Sequence, residues 1–390
     1  MKNVSVIIPT YWTWPQSASH RPETASYDHP TPLDGESTLP RLLDDLCEQR
    51  MQDFRVLILT GVSHPGLGQD AADHMRTLLQ PYEDRLDLYV CDAPTWARLK
   101  AVLDSASLST DGLHLGSYSG IRNLQLLVPH IVGAEVIIAL DDDESIKPNY
   151  LDQALTDIGN EVHGQRVLGL AGPYLHPDGS VLLPERPATG NPVRDKGLYI
   201  NKAMRLLTRA QGEIVPSPMA LGGNMVFHRD LFTRVPFDPG ITRGEDIDYL
   251  INARLDGISW WFDPNLTILH LPPHHYDTPP YQRMREDVFR FIYEREKLRL
   301  HGFHQPDWLE PYPGALLGDQ LREQALSALE AEATVELVAR YGDGQTIVKQ
   351  AEDHASHYAP LYTGFAQSWR QVMAQIEADE KLRRDLIGCF

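Results

Sequence analysis

The first half of the chain alternates short apolar stretches with amphipathic helical ones. Val4–Thr10 reads "VSVIIPT", a β-branched run with the length of a buried strand. Leucines recur at helical spacing through Leu39–Leu46, and Phe54–Thr60, "FRVLILT", predicts the next strand. Parallel strands need crossover connections, which are usually helices, so this alternation predicts an α/β fold with a mainly parallel sheet.

The alternation continues to about residue 158 and then weakens. Arg85–Cys91 predicts a third strand, Ser119 is the expected cap of the next helix, and Ala134–Leu140 predicts a strand that leads into a cluster of acids. Residues 176–218 are rich in Pro and Gly and carry several basic side chains. This segment fits either a solvated loop or a lid over an anionic ligand; its cations are Arg186, Arg194, Lys196, Lys202 and Arg205.

From Tyr281 onward the pattern is that of long charged helices, over 282–300, about 316–340 and 364–386. We therefore predict a catalytic-type α/β domain at 1–275 and a helical region at 276–390. The charged surfaces of these helices suggest acceptor binding or contact with an identical subunit.

Charge and composition exclude some partners. The 390 residues include 35 Lys and Arg against 54 Asp and Glu, a formal net charge of -19, which argues against nucleic acids and anionic membranes. The three cysteines show no metal-ligand or redox spacing, which fits a reducing compartment. The N-terminal apolar run is too short for a signal peptide and no stretch approaches ~20 apolar residues, so the expected location is the cytoplasm.

The stretch "IALDDDESIKP", Ile138–Pro148, places an apolar run against four acids. Adjacent carboxylates repel by roughly 1 kcal/mol per pair even in water, so a nearby cation is expected. If the strand continues through the acids, Asp141 and Asp143 point to one side and Asp142 to the other. The C-terminal edge of such a sheet is where ligands bind, and two carboxylates there suit Mg²⁺ or Mn²⁺. The alternative is an acidic, solvated turn before a helix that begins at Pro148.

Six sequence elements in order give the chain a resemblance to a known family. These are "SVIIPTY", "SYSGIRN", "ALDDDESIKPNYL", "LGGNMVFHRDLF", "RGEDIDYLINARLDG" and "LTILHLPPHH". Over about residues 4–275 they resemble the GT-A glycosyltransferases, most closely the family-2-like group. The resemblance implies transfer of a sugar from a nucleotide diphosphate sugar to an acceptor hydroxyl, with Mn²⁺ or Mg²⁺ as cofactor.

The resemblance also implies roles for individual residues. Asp143 is the implied principal metal ligand and His270 a nitrogen ligand, while Glu245 and Asp246 match the acidic pair that supplies the base, Asp246 being preferred. Gly222, Gly223 and Asn224 match the loop that lines the sugar and acceptor site. The implied donor and nucleotide residues are Pro9, Thr10, Tyr11, Arg122, Asp141 and Asp142.

The chain departs from the family pattern after its second strand. Many members carry an Asp pair there that reads the base, whereas this chain has Thr60 and Gly61 in "LTGVSHP". Asp92, after the third strand, is the candidate substitute. The loop over 11–38 is long and polar, and we expect its Trp12 and Trp14 to stack on a base or sugar.

Two other functions fit parts of the same pattern. "IIALDDDES" also fits a phosphohydrolase of the haloacid-dehalogenase type with Asp141 as nucleophile, although that Asp normally lies near the start of its domain. A sugar-nucleotide-binding protein without catalysis is the non-enzyme alternative, and it predicts donor binding without turnover.

Overall fold

The computed structural model describes residues 3–22, 27, 30–209, 212–272 and 280–390. The strands are β1 (Val4–Thr13), β2 (Thr31–Pro32), β3 (Arg55–Val62), β4 (Asp87–Cys91), β5 (Val136–Ala139), β6 (Glu144–Ser145), β7 (Glu161–Val162), β8 (Gln165–Arg166), β9 (Gly169–Ala171), β10 (Tyr174–Leu175), β11 (Val215–Pro216), β12 (Met225–His228), β13 (Trp261–Phe262) and β14 (Ile268–His270). The helices are α1 (Leu39–Cys47), α2 (Gly68–Leu79), α3 (Ala93–Ser105), α4 (Tyr118–Ile131), α5 (Tyr150–Thr156), α6 (Lys196–Leu207), α7 (Arg229–Phe232), α8 (Glu245–Leu255), α9 (Pro280–Leu300), α10 (Leu321–Glu332), α11 (Val335–Tyr341), α12 (Gly344–Tyr358), α13 (Tyr362–Ala378) and α14 (Glu380–Ile387).

The central sheet has the order β11-β13-β9-β12-β5-β1-β3-β4, with β2 paired to the end of β1. The pairs of β1 with β2, β3 and β5, of β3 with β4, and of β9 with β13 are parallel, whereas β12 runs antiparallel to both of its neighbours. The predicted α/β fold with a mainly parallel sheet is therefore confirmed, and so is the helical C-terminal region. Among the described helices, none combines the length and the apolar character that a bilayer span needs.

A second, three-stranded sheet sits beside the acidic stretch. Its order is β10-β14-β6, and β14 runs antiparallel to β6 with His270 opposite Glu144. The backbone N–H of Leu271 donates to the carbonyl of Asp143 at 2.9 Å, which extends this pairing by one residue. These short strands bring together two segments that lie far apart in the chain.

The C-terminal helices share a core with the α/β part. Apolar side chains of α9, among them Phe291 and Ile292, belong to the same buried cluster as Phe237 and Tyr249. α9 also carries Lys297, which is fully buried and lies 2.6 Å from a carboxylate oxygen of Asp238 and 2.5 Å from one of Asp248. Asp248 is therefore a buried ion-pair partner rather than only a first-turn acid of α8.

Candidate functional site

A cleft of about 380 Å³ opens at the C-terminal edge of the parallel strands. Strand β1 contributes Tyr11 and helix α4 contributes Tyr118 and Arg122, because Ser117 caps α4 and starts it at this edge. The predicted cap, Ser119, lies inside the first turn instead. The other walls come from the turn after β5, the loop before α8, the end of β14 and the C-terminal helical region.

The acidic stretch forms a turn rather than a continuing strand. Strand β5 ends at Ala139, and Asp142 and Asp143 lie in a turn before β6. The expected alternation, with Asp142 facing away from the other two, is therefore wrong, because strand geometry stops before the acids begin. Asp141, Asp142 and Asp143 all line the cleft.

The cations expected beside these acids are two arginines. Arg122 is only 5% exposed; its Nη1 donates to Oδ1 of Asp141 at 3.3 Å and its Nε to Oε1 of Glu245 at 3.1 Å. Arg41 donates from Nη2 to the backbone carbonyl of Asp143 at 3.0 Å. Arg122 thereby ties α4 to both the acidic turn and the first turn of α8.

The two arginines leave much of the negative charge uncompensated. Burial raises the pKa of Asp142 and of Glu144 well above their ordinary values, and the neighbouring carboxylates Asp141 and Asp143 add to both shifts. Burial also raises the pKa of Asp141, against the opposing effect of Arg122. A further cation bound among these carboxyl groups would stabilise their ionised forms and lower their pKa values.

Asp143 and His270 face each other at the acidic end of the cleft. Nε2 of His270 lies 3.3 Å from Oδ2 of Asp143, a contact fixed by the β6–β14 pairing. Burial by itself lowers the pKa of His270, but the hydrogen bond and charge of Asp143 outweigh it and raise the pKa above its ordinary value. The ring of Tyr174 lies 5.1 Å from that of His270 and helps to orient it.

This pair fits a hard divalent cation as two of its ligands. Among the described residues, no group of three or more His, Cys, Asp or Glu side chains is arranged to enclose a metal ion. Mg²⁺ in proteins is commonly held by one or two carboxylates and completed by water and substrate phosphates, so an incomplete protein set is what a metal–diphosphate site needs. Oε1 of Glu144, next to Asp143 in the chain, is buried without a hydrogen-bond partner in the described structure.

The glycine loop before β12 approaches these acids closely. A Cβ atom added to Gly223 would lie 2.1 Å from Oε1 of Glu144 and 2.7 Å from Oδ2 of Asp141, so the approach needs glycine. The resemblance implies a sugar and acceptor site at Gly222, Gly223 and Asn224, and of these Gly222 lines the cleft. Asn224 is fully buried, where its side chain accepts from Tyr150 and donates to the carbonyl of Leu266.

Helix α8 begins at the cleft and presents its first two residues to it. Glu245 is bound by Arg122, while Oδ1 of Asp246 accepts from the backbone N–H of Ile247 at 2.8 Å. Burial and then the charge of Glu245 raise the pKa of Asp246 to about 6, although Arg290 opposes this shift. A carboxylate with a pKa near 6 is mostly ionised at neutral pH and is more basic than an ordinary one, which suits a general base.

Several predicted donor residues lie outside the cleft. Pro9 and Thr10 are buried in β1, and Asp92 caps α3 by accepting from the backbone N–H of Thr95 at 2.9 Å. The expectation for Trp12 is wrong: its ring is fully buried against His74, so it cannot stack on a base or sugar. The implied nucleotide role of Asp92 competes with this capping contact.

Other cleft residues were not identified from the sequence. Of the five cations named for the basic segment 176–218, Lys196 lines the cleft, whereas Arg194 pairs with Glu332 and Arg205 with Glu185. The other polar and aromatic side chains of the cleft had no role assigned from the sequence. Tyr118 and Arg243 lie within quoted motifs, and Tyr174, Asp287, Arg290 and Tyr312 lie outside them. Three of these belong to the C-terminal region, which is therefore part of the cleft wall. Two further histidines of the motif "LTILHLPPHH", at positions 274 and 275, lie outside the described residues.

No protein-family model and no curated protein matches this chain. Among solved structures, it is similar to the mannosyltransferase PcManGT from Pyrobaculum calidifontis, solved with GDP-Man and Mn²⁺, at 15% identity and a TM-score of 0.47 over 97% of this chain and 88% of that one. It is also similar to TarS of S. aureus, at 13% identity and a TM-score of 0.42 over 96% of this chain and 55% of TarS. GalNAc-T7, solved with UDP, GalNAc and Mn²⁺, is 14% identical with a TM-score of 0.39 over 92% of this chain and 58% of that one.

These identities and TM-scores are too low to carry an activity from those proteins to this chain. The fold class rests on the strands and helices of the chain itself, and the chemistry on the side chains of the cleft.

Proposed function

We propose that the chain is a metal-dependent glycosyltransferase of the GT-A type, which moves a sugar from a nucleotide diphosphate sugar to an acceptor hydroxyl. The observation that carries this proposal is the arrangement of one cleft. An acidic turn with a facing Asp143–His270 pair lies at one end, and Asp246, with a pKa of about 6, lies further along it.

The acidic end is the proposed donor site. Asp143 and His270 would hold Mn²⁺ or Mg²⁺, which would neutralise charge that develops on the leaving diphosphate. Arg122, pinned between Asp141 and Glu245, adds a fixed positive charge that needs no rearrangement during the reaction. Tyr11 and Tyr118 form an aromatic wall beside it, with ring centroids 5.5 Å apart, and this wall suits a nucleoside.

Asp246 is the proposed base. It would accept the proton of the acceptor hydroxyl while that oxygen attacks the anomeric carbon and the diphosphate leaves. Gly222 lies beside both Asp246 and Arg122, since a Cβ atom there would be 3.9 Å from the Cβ of Asp246 and 2.6 Å from Nη2 of Arg122. In a retaining reaction Asp246 would hold the acceptor or the sugar instead, so we tie the proposal to transfer rather than to its stereochemistry.

Product analysis tests the proposal. The protein is incubated with a panel of nucleotide sugars, divalent cations and hydroxyl acceptors, and the products are identified by mass spectrometry. We expect one donor class to give nucleoside diphosphate and a glycosylated acceptor, both abolished by chelation. Phosphate released from phosphomonoesters would favour the phosphohydrolase, and donor binding without any product would favour the binding protein.

A further inference from the structure

The end of the cleft opposite the acidic turn is lined by cations. Lys196 begins α6, Arg243 precedes α8, and Arg290 lies midway along α9. Lys196 and Arg290 lie outside the motifs that suggested the proposed function, whereas Arg243 is the first residue of one of them, "RGEDIDYLINARLDG". We call this part of the wall the cationic end, although it also contains the carboxylates of α9 that pair with its three cations. It differs from the acidic turn, where three aspartates lie beside Arg122 and Arg41, and the two parts therefore suit different groups of a ligand.

Helix α9 fixes all three cations in place. Each one contacts a different carboxylate of that helix, at 2.5 Å, 2.6 Å and 2.8 Å, in the pairs Lys196–Asp287, Arg243–Glu286 and Arg290–Glu294. A lysine has three N–H donors and an arginine has five, so one carboxylate contact does not use them all. The pairing therefore orients all three cations, and for Lys196 and Arg290 it leaves donors for a ligand.

Arg290 points most directly to a ligand. Its side chain lines the cleft although the residue is only 6% exposed, and its Nε donates to Glu294 at 2.8 Å. Its Nη2 is buried and has no hydrogen-bond partner in the part of the chain that the structure describes. Buried donors are normally satisfied, and a guanidinium left incomplete at a cleft wall is suited to a planar carboxylate or a phosphate.

The position of Arg290 relates it to the proposed base. A Cβ atom on Gly244 would lie 2.5 Å from Nε and Cζ of Arg290, so the guanidinium lies directly on the residue that precedes α8. Gly244 has a φ of 72°, a second reason for glycine here. Since Asp246 is in the first turn of α8, an anion held by Arg290 would lie near Asp246, while Arg122 and Glu245 stand between it and the acidic turn.

We infer that the acceptor carries an anionic group, a carboxylate or a phosphate, which Arg290 and Lys196 bind so that its hydroxyl reaches Asp246. The part of this inference that identifies the ligand as the acceptor rests on the proposed function. The presence of an anion site at the cationic end stands on the side chains alone. Arg290 and Lys196 are thus acceptor-specificity residues and not donor ligands.

Small anions test the site without a donor. Methyl phosphate and acetate are titrated into the full-length protein, and binding is followed by thermal stabilisation. We expect at least one to bind, and Arg290→Gln to weaken that binding at least about tenfold. Arg299→Gln is the matched control, since Arg299 is on the same helix but pairs with the exposed Asp319, and it should bind as wild type does. If Arg290→Gln fails to fold, Lys196→Gln is the second variant, because Lys196 is partly exposed and its loss should also weaken anion binding.

Acceptor kinetics test the assignment to the acceptor. A neutral hexoside, the matching hexuronide and the matching hexose phosphate are compared with one donor. We expect a KM at least about tenfold lower for one anionic acceptor, lost in Arg290→Gln and kept in Arg299→Gln. Equal KM values for all three acceptors would overturn the inference, and so would an equal loss of nucleoside diphosphate affinity in Arg290→Gln. If no acceptor is glycosylated at all, the proposed function fails, and the small-anion titration still decides whether the anion site exists.

Discussion

Nε2 of His270 lies 3.3 Å from Oδ2 of Asp143 because the short strands β6 and β14 pair the segments that carry them. This contact brings an imidazole to a turn that already holds three aspartates. It defines one end of the cleft, and the cationic end with Arg290 defines the other. The account of function depends on this polarity, with Asp246 between the two ends.

Replacing Asp143 by alanine should remove divalent metal binding and leave the protein folded. The carboxylate is the proposed principal ligand, and its loss relieves repulsion with Asp141 and Asp142. Mn²⁺ binding in the presence of a nucleoside diphosphate, followed by electron paramagnetic resonance, is the measurement. Asp152→Ala, on the exposed face of α5, is the control. Unchanged Mn²⁺ affinity in Asp143→Ala would refute the metal assignment.

Asp246→Asn should bind donor normally and transfer the sugar slowly. A general base typically contributes about 10²–10⁴-fold to a rate, and the amide cannot accept the proton. Single-turnover transfer and donor titration are measured on the same preparation. The control is Asp230→Asn, because Asp230 forms an exposed ion pair with Arg166. Asp248→Asn would not serve as a control, because Asp248 is buried with Lys297. Transfer at the wild-type rate in Asp246→Asn would eliminate this residue as the base.

Transfer should also depend on pH through Asp246. Its pKa is raised to about 6, first by burial and then by Glu245. Because the base must be unprotonated, the rate should fall as the pH drops through about 6 and level off above about 7. The pH profile of kcat/KM is compared with the pH profile of donor affinity. A fall in rate that only follows the fall in donor affinity would place the titration in the donor site instead.

Lys297→Met should destabilise the protein by about 3–5 kcal/mol, because it leaves Asp238 and Asp248 buried without their cation. Chemical denaturation measures the change. Lys100→Met removes an exposed i,i+4 pair with Asp104 and should change stability by no more than about 0.5 kcal/mol. Adding Asp238→Asn and Asp248→Asn to Lys297→Met should restore part of the loss. A single variant as stable as wild type would show that this contact does not anchor α9.

The sequence was informative where a local pattern decides the structure. The β-branched run that begins at Val4, the leucine-spaced helix that starts at Leu39 and the strand before Asp141 all form as predicted, because periodicity and burial agree there. Helix α12 was missed although its apolar positions have helical spacing, from Ile347 and Val348 to Ala351 and Ala355. That signal was readable from the sequence.

Long-range contacts could not be read in this way. Nothing local shows that Arg290 lies on Gly244, since a charged residue on a charged helix ordinarily faces solvent. Trp12 is buried because β1 extends beyond Thr10 to Thr13, which moves the ring from a polar loop into the core. The resemblance makes Asp92 a candidate ligand for the base, but a carboxylate directly before a helix also caps that helix, as Asp92 does here.

The most direct measurement of the central claim is donor binding as a function of metal. Nucleotide sugars are screened for thermal stabilisation of the wild-type protein with Mn²⁺, with Mg²⁺ and with a chelator, since a ligand at about 100 times its Kd stabilises by about 2.7 kcal/mol. The account predicts that one class of nucleotide diphosphate sugar stabilises the protein only when a divalent cation is present, and that Asp143→Ala loses this response. Stabilisation that persists in the chelator, or no stabilisation by any nucleotide sugar, would contradict it.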